Sequence, residues 1–165
     1  MDTLVSTNSS EQAKELLEET KNLYNSIGNV VDVGNSVISA ILNEYKNRAE
    51  HEKIDFSFSV SVPEQLNISA IDCYIILGNT LDNAIDGTIS VPEAERKIFL
   101  QLRQHQGTLF YKLENSCTQS HVTRKRSKNH GYGLRNVRKC IEKHAGDMVT
   151  SFENGKFTFT SRITC

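Results

Sequence analysis

Apolar positions follow a helical spacing at the start of the chain and then alternate with serine. Residues 10–31 repeat apolar side chains three and four positions apart, which predicts a helix capped by Ser9 or Ser10. The same spacing predicts a second helix over residues 35–51. In residues 56–62 phenylalanine and valine alternate with serine, so we expect a strand with one buried face and one solvated face.

The middle of the chain contains its most apolar helical stretch, which we expect to run from about residue 69 to residue 85. Two alternating segments follow, 98–102 and 109–113, and His105-Gln-Gly107 lies between them as a hairpin turn. This region therefore predicts a helix followed by two antiparallel strands.

The last part of the chain begins with residues 116–130, which are polar and basic and predict a loop. Apolar spacing then predicts a helix over residues 134–144, with Gly146 as its stop. Alternating segments at 148–152 and 157–163 lie on either side of an Asn-Gly turn, so we expect a closing hairpin.

This order of elements predicts an α/β fold, in which a mixed, largely antiparallel sheet is covered by helices on one face. A chain of 165 residues, 38% hydrophobic and 24% charged, suits one globular domain with a conventional core. No apolar run approaches the ~20 residues of a membrane helix, and the N-terminus does not resemble a secretion signal. The net charge of −1 gives no overall preference for nucleic acid or membrane.

Four cysteines, Cys73, Cys117, Cys140 and Cys165, are scattered through the sequence. They form no C-x-x-C pair, and we expect no histidine at metal-ligand spacing from them. The sequence therefore predicts free thiols in a reducing compartment, mostly packed, with Cys165 at a loose terminus and without a cysteine metal site or a disulfide framework.

Three polar residues share one face of the apolar helix. Asn79, Asn83 and Asp86 are spaced i, i+4 and i+7. Asparagine is unfavourable inside a helix because its amide competes for backbone hydrogen bonds. Two interpretations stay open: exposed surface amides, or a polar stripe that faces a ligand and offers amide oxygens to magnesium.

A glycine-containing segment, 129–134, lies directly before a predicted helix. Gly131 and Gly133 let the backbone approach a bulky anion, and the N–H groups at a helix start favour phosphate. An ordinary loop that enters a helix has the same pattern. Phosphate binding by these glycines and their neighbours His130 and Leu134 is favoured only because the asparagine helix lies upstream in the same chain.

Asn115 lies at the end of a predicted strand. Strand alternation places it in phase with the buried positions, whereas Glu114 points to the other face. Such an asparagine either makes a turn or contacts a ligand, and the spacing leaves both possibilities open.

The basic run at 124–128 is compatible with a solvated loop, with nucleic-acid binding or with the steering of phosphate groups. We favour phosphate steering, because the net charge is −1 and no aromatic residues are interleaved with the basic ones.

Taken together, these motifs resemble a known superfamily. Gly78-Asn-Thr-Leu-Asp-Asn-Ala-Ile85 and Gly131-Tyr-Gly-Leu-Arg-Asn-Val137 resemble the N box and the glycine box of the GHKL ATPases, which include gyrase, Hsp90, histidine kinases and MutL-type proteins. Residues 33–42, with Lys46 and Ala49, are similar to the histidine kinases of the accessory gene regulator type, which detect peptide quorum signals in Gram-positive bacteria. The resemblance spans residues 10–165.

The resemblance implies a Bergerat-type two-layer sandwich that binds ATP and Mg²⁺, with residues 116–130 as the ATP lid. It implies that Asn79 and Asn83 are the catalytic residues and that Asn83 is the magnesium ligand. Hydrolytic members carry a glutamate at the position of Asn79, and that glutamate activates water. Both asparagines are expected to contact the nucleotide, together with Asp86, Asn115, His130, Gly131, Gly133 and Leu134.

The sequence departs from the family pattern at the adenine site. Most members have Asp-x-Gly-x-Gly there, whereas this chain has Asn115-Ser-Cys-Thr118 without the glycines. The amide of Asn115 could accept from the adenine amino group and donate to the neighbouring ring nitrogen. A degenerate module that holds nucleotide without transferring phosphate is therefore an alternative, and a GHKL ATP hydrolase is a second one, disfavoured by Asn79.

The resemblance also implies how the chain is divided and what surrounds it. Residues 1–31 would be the second helix of a dimerisation hairpin, and residues 32–165 the catalytic domain. The intact protein would be a homodimeric, membrane-bound bacterial receptor with this domain in the cytoplasm. Its partners would be its own phosphoacceptor helices, absent from this chain, and a response regulator, with no nucleic acid.

Overall fold

The structure is a computed structural model that describes residues 30–127 and 132–165. At residues 124–127 it describes the backbone alone. The helix expected over residues 10–31 lies outside this description except for residues 30 and 31, which are not helical, and the candidate residues His130 and Gly131 also lie outside it. Residues Asp32–Cys165 form one compact unit. The elements in chain order are α1 (Ser36–His51), β1 (Asp55–Ser61), α2 (Ala70–Ile89), a 3₁₀ turn (Glu93–Glu95), β2 (Lys97–His105), β3 (Thr108–Ser116), α3 (Gln119–Ser127), α4 (Tyr132–Lys143), β4 (Asp147–Glu153) and β5 (Lys156–Thr164).

The strands form a five-stranded sheet in the order β1-β2-β3-β5-β4. β1 pairs with β2 in parallel, and α2 supplies the crossover that a parallel pair requires. The other pairs are antiparallel. The predicted α/β fold with a mixed, largely antiparallel sheet is therefore confirmed.

Both predicted hairpin turns are present, and both are two-residue turns. Gln106 and Gly107 have φ angles of 48° and 75°, and Asn154 and Gly155 have φ angles of 50° and 74°. Positive φ at both central residues is the feature of a type I′ turn, whose twist matches that of the flanking strands.

Helices α1, α2 and α4 bury their apolar sides on one face of the sheet. Tyr111 at the centre of β3 is almost fully buried, and its ring packs on Phe159 of β5 at 5.3 Å between centroids. On the opposite face Phe110 and Val149 are exposed. The core thus lies between the sheet and one helical layer, and none of the described helices is both long and apolar enough to span a bilayer.

The segment predicted as a loop at 116–130 instead contains helix α3, so that prediction is wrong over residues 119–127. The Thr118 hydroxyl accepts from the His121 backbone N–H at 3.3 Å, and the Thr118 carbonyl accepts from Val122 N–H. A threonine cap followed by arginine and lysine, which are good helix formers, stabilises this turn despite its polarity. Helix α2 also continues one turn beyond the predicted end, to Ile89.

All four cysteines are free thiols, and Cys73, Cys117 and Cys140 are buried as expected. Cys165 is not a loose end, because its backbone N–H donates to the Gly107 carbonyl at 2.8 Å. The expectation that no histidine lies at ligand spacing was wrong. Cys140 and His144 are four residues apart, so they share one face of α4 and its C-terminal cap.

The end of α4 differs from the prediction in the residue that turns the chain. Ala145, rather than Gly146, takes the left-handed conformation, with φ of 50°. The N–H groups of Ala145 and Gly146 donate to the carbonyls of Glu142 and Ile141, which is a Schellman arrangement. Gly146 is needed for a different reason: a methyl group there would overlap the Arg162 carbonyl oxygen and lie 2.8 Å from the Ile141 side chain.

We therefore expect Gly146→Ala to lower the free energy of unfolding by about 1–3 kcal/mol, because the backbone of β5 must move to admit the methyl group. The matched change Ala145→Gly relieves left-handed strain of about 1 kcal/mol but makes the unfolded chain more flexible by a similar amount, so it should be near neutral. Denaturant unfolding of both variants measures this difference. Equal stability of the two would contradict the close approach at Gly146.

Candidate functional site

The rotation of α2 about its axis is set by a buried hydroxyl pair. The Tyr111 and Thr80 hydroxyls are 2.7 Å apart, and Thr80 also donates to the Ile76 carbonyl at 2.7 Å. Because Thr80 thereby faces the sheet, Asn79 and Asn83 lie half-buried at the edge of the helix and Asp86 is exposed. The three polar residues therefore lie along the border between the buried and the exposed side of α2.

The side of α2 nearest α1 is held by a second group of contacts. The Tyr45 hydroxyl lies 3.0 Å from both the Gly78 carbonyl and the Asp82 carboxylate, and Arg48 pairs with that carboxylate at 2.7 Å. Burial, and then the charge of Asp82, raise the pKa of Tyr45 well above its ordinary value, so the phenol stays protonated and donates. Asp82 is thus engaged with α1, although it adjoins Asn83 in sequence.

The amide of Asn79 is oriented by its own helix. Its Nδ2 donates to the Ile75 carbonyl at 2.7 Å, so the amide oxygen is left on the outer side. A methyl group at Gly133 would lie 3.3 Å from that oxygen and 3.8 Å from Asn83 Nδ2. The structure therefore brings Asn79, Asn83 and Gly133 together, although the two motifs are far apart in the sequence.

The first turn of α4 begins at this contact, with Gly133 and Leu134 both half-buried in it. The N–H groups of a helix start lack intrahelical partners and carry partial positive charge, which favours an anion. Neutral amide oxygens beside such a terminus can hold a divalent cation together with phosphate oxygens. This arrangement suits a ligand that brings both negative charge and a metal ion.

Asn115, near the end of β3, packs against the C-terminal half of α2. It is 4% exposed, as the strand alternation predicted, and its Nδ2 donates to the Ser116 carbonyl at 2.9 Å. A methyl group at Gly87 would lie 2.8 Å from that Nδ2 and 3.4 Å from Cys117 Sγ. The amide therefore lies directly against a glycine one helical turn beyond Asn83.

The surroundings of Asn115 are largely apolar. It is paired with Phe157 on β5 and with Ile98 on β2, and Cys117 is buried beside it. A primary amide can donate one hydrogen bond and accept another at the same time. An amide surrounded by apolar groups is therefore suited to bind a flat aromatic ring whose edge carries polar atoms.

Gly87 lies against the candidate residue Asn115 but was not singled out from the sequence. A glycine inside a helix costs about 1 kcal/mol relative to alanine and indicates a close approach, but the helix was expected to end near residue 85, before Gly87. The approaching group is Asn115, and this cannot be read from the sequence because β3 is brought to α2 only by the fold.

The chain belongs to the GHKL domain family, whose model matches residues 68–164. No curated protein sequence matches it. The resemblance to the GHKL ATPases, inferred from the N box and the glycine box, is therefore confirmed.

Solved structures of histidine kinases are among those that share this fold. The nucleotide-free catalytic domain of histidine kinase ThkA matches with a TM-score of 0.62 and 20% identity, over 78% of this chain and 89% of that one. Another crystal form of the same domain gives a TM-score of 0.63 at 21% identity, over 78% and 91%. Acinetobacter baumannii histidine kinase AdeS matches with a TM-score of 0.59 and 18% identity, over 99% of this chain and 85% of that one.

The contact between Gly87 and Asn115 gives a direct prediction. In Gly87→Ala the new methyl group must push the Asn115 amide aside, so the side-chain NH₂ resonances of Asn115 should shift and its hydrogen bond to Ser116 should weaken. Stability should change by less than about 1 kcal/mol, because the gain in helix propensity offsets the crowding.

Gly78→Ala is the matched control for this measurement. It lies in the same helix, but a methyl group there would meet the Tyr74 ring at 3.3 Å and the Tyr45 hydroxyl at 3.4 Å rather than Asn115. Two-dimensional NMR of the two variants separates the effects. Asn115 resonances that do not move in Gly87→Ala would refute the contact.

Proposed function

We propose that this domain binds Mg-ATP and transfers the γ-phosphate to a histidine on a separate helix, as the catalytic domain of a histidine kinase. The observation that carries the proposal is the meeting of Gly133, at the start of α4, with the amides of Asn79 and Asn83. One side of this contact suits phosphate and the other suits magnesium, so Mg-triphosphate is the ligand that satisfies both.

Asn83 is the proposed magnesium ligand. An amide oxygen is hard and neutral, and magnesium commonly takes only one or two protein oxygens beside phosphates and water. Gly133 and Leu134, with His130 and Gly131 outside the described residues, would contact the phosphates. Asp86, one turn beyond Asn83, would also contact the nucleotide. Magnesium would neutralise the charge that develops on the phosphoryl group.

Asn115 is the proposed adenine contact. Its buried amide, between Gly87 and the strand residues Phe157 and Ile98, can pair with the amino group and the adjacent ring nitrogen of the base. The apolar neighbours would cover the ring faces.

Asn79 supports transfer to histidine rather than to water. Its Nδ2 is used within the helix, and an amide has no basic nitrogen or carboxylate to take a proton from water. Catalysis would then consist of positioning ATP and neutralising its γ-phosphate, with the acceptor supplied from elsewhere. An amide at this position therefore disfavours the alternative of a GHKL ATP hydrolase.

The remaining proposals concern the receptor from which the domain comes. Residues 1–31 would belong to the dimerisation hairpin and residues 32–165 to the catalytic domain, in a homodimeric membrane receptor with this part in the cytoplasm. Its own phosphoacceptor helices and a response regulator would be its partners. ThkA and AdeS, which share the fold, are histidine kinases.

The metal assignment is tested by calorimetric titration with ATP, with and without magnesium. Asn83→Ala should remove most of the magnesium-dependent part of the affinity, at a cost of about 2–4 kcal/mol, because the phosphates lose part of their neutralisation. Asn43→Ala is the matched control, since Asn43 is also a helical asparagine, bonded to its own helix through Ser39 at 2.7 Å, but lies on α1. Circular dichroism should show both variants folded.

The same titration separates the proposal from its alternatives. Unchanged magnesium-dependent affinity for ATP in folded Asn83→Ala would refute the assignment of Asn83 as the magnesium ligand. Absence of ATP binding by the unmutated domain would favour a degenerate module, and release of inorganic phosphate on a catalytic timescale would favour a hydrolase.

This chain alone should not phosphorylate itself. His51, next to Glu52, is the histidine-acid pair closest to an acceptor motif, but it ends α1 within the same compact unit as the nucleotide site. A histidine held in that unit cannot move into line with the γ-phosphate. We expect no acid-labile label from γ-labelled ATP, and label on an added upstream hairpin of the same receptor. Acid-labile phosphate that disappears in His51→Gln would overturn this expectation.

A further inference from the structure

Three potential metal ligands meet where the start of α2 packs against the end of α4. They are the Asp72 carboxylate in the first turn of α2, Cys140 on α4 and His144 just beyond its last turn. One ligand atom from each lies within 4.8 Å of the other two. The cluster lies on the same two helices as the N box and the glycine box but outside both motifs, and the proposed nucleotide site does not use it.

Contacts hold the three side chains in a position that is largely shielded from solvent. Asp72 and Cys140 are 6% and 7% exposed, and the His144 side chain is 17% exposed. Asp72 Oδ2 accepts from His144 Nε2 at 2.8 Å and from Lys143 Nζ at 2.9 Å, and Cys140 Sγ lies 3.9 Å from the Asp72 carbonyl. Lys143 and His144 hold the pKa of Asp72 well below its usual range, and burial raises the pKa of Cys140 to about 11.

We propose that Asp72, Cys140 and His144 form a site for a divalent transition-metal ion, with Zn²⁺ as the ion that fits best. Cysteine and histidine four residues apart share one side of a helix, and a carboxylate from a second helix completes a set of three. Sulfur and imidazole nitrogen favour zinc over magnesium or calcium, which prefer oxygen ligands. The fourth position of a tetrahedral ion would be left for water or an anion.

The present separations are close to those that zinc requires. Bonds of about 2.0–2.3 Å in a tetrahedron place neighbouring ligand atoms about 3.5 Å apart, so the thiol must approach by roughly an ångström and the carboxylate and imidazole must separate slightly. The Cys140 thiol would release its proton to solvent, and neutral His144 would carry its proton on Nδ1 so that Nε2 binds the ion.

Lys143 competes for the same carboxylate. Its ammonium is bonded to Asp72, but its side chain is 65% exposed, so it can swing into water when a metal ion takes the carboxylate. Replacement of Lys143 therefore distinguishes a metal site from a simple ion pair. Loss of the lysine should weaken the ionic contacts of Asp72 but strengthen metal binding. The site does not depend on whether the domain binds ATP.

Titration of the chelator-treated protein with Co²⁺, a spectroscopic substitute for Zn²⁺, tests the proposal. A single equivalent should produce a thiolate-to-cobalt charge-transfer band in the near ultraviolet and the visible bands of tetrahedral cobalt, and Zn²⁺ should remove both. Zn²⁺ should also raise the melting temperature, since it binds only the folded protein. Absence of the bands, or bands of octahedral cobalt without thiolate, would overturn the proposal.

Variants locate the site. Cys140→Ser should abolish the charge-transfer band, and His144→Gln should weaken binding by about tenfold or more. Lys143→Gln should strengthen it by about two- to fivefold. Cys117→Ser should leave the titration unchanged, because Cys117 lies at the opposite end of the sheet, where its backbone N–H donates to the Gly155 carbonyl. A band that survives Cys140→Ser or disappears in Cys117→Ser, in protein that circular dichroism shows to be folded, would place the metal elsewhere.

Discussion

The arrangement of the domain depends on helix α2, which is apolar on the side that faces the sheet and carries polar residues along the border of that side. The contact between Thr80 and the buried Tyr111 hydroxyl fixes which side of α2 faces the sheet. If α2 were rotated by one residue, Thr80 would lose its partner, and a buried phenol without a partner costs about 1–3 kcal/mol. The same constraint that completes the core therefore also sets where Asn79 and Asn83 lie.

Two glycines let other elements approach that edge closely. Gly133 brings the start of α4 onto the amides of Asn79 and Asn83, and Gly87 brings Asn115 of β3 against the helix. A methyl group at Gly87 would overlap the Asn115 amide, and one at Gly133 would crowd the Asn79 oxygen. The candidate site thus draws on three elements, α2, β3 and α4, and at each junction with α2 a glycine permits the close approach.

Much of this could be predicted because the relevant periodicities are local. The spacing of Asn79 and Asn83, the alternation that buries Asn115, and both type I′ turns depend on neighbours within one or two turns. Helix α3 was missed because a single threonine cap outweighs a polar composition. The role of Gly87 and the cluster at Asp72 were also missed, because they depend on contacts across the fold, such as the one that joins Asp72 to Cys140 over 68 residues.

Helix α4 runs antiparallel to α2, and both of its ends are fixed to that helix. Its first turn rests on Asn79 and Asn83, and beyond its last turn His144 bonds Asp72 at the start of α2. The helix has 12 residues and is about 18 Å long, so these two contacts lie roughly its full length apart. The contacts that build the candidate nucleotide site and those that gather the Asp72 cluster therefore hold the same pair of helices together.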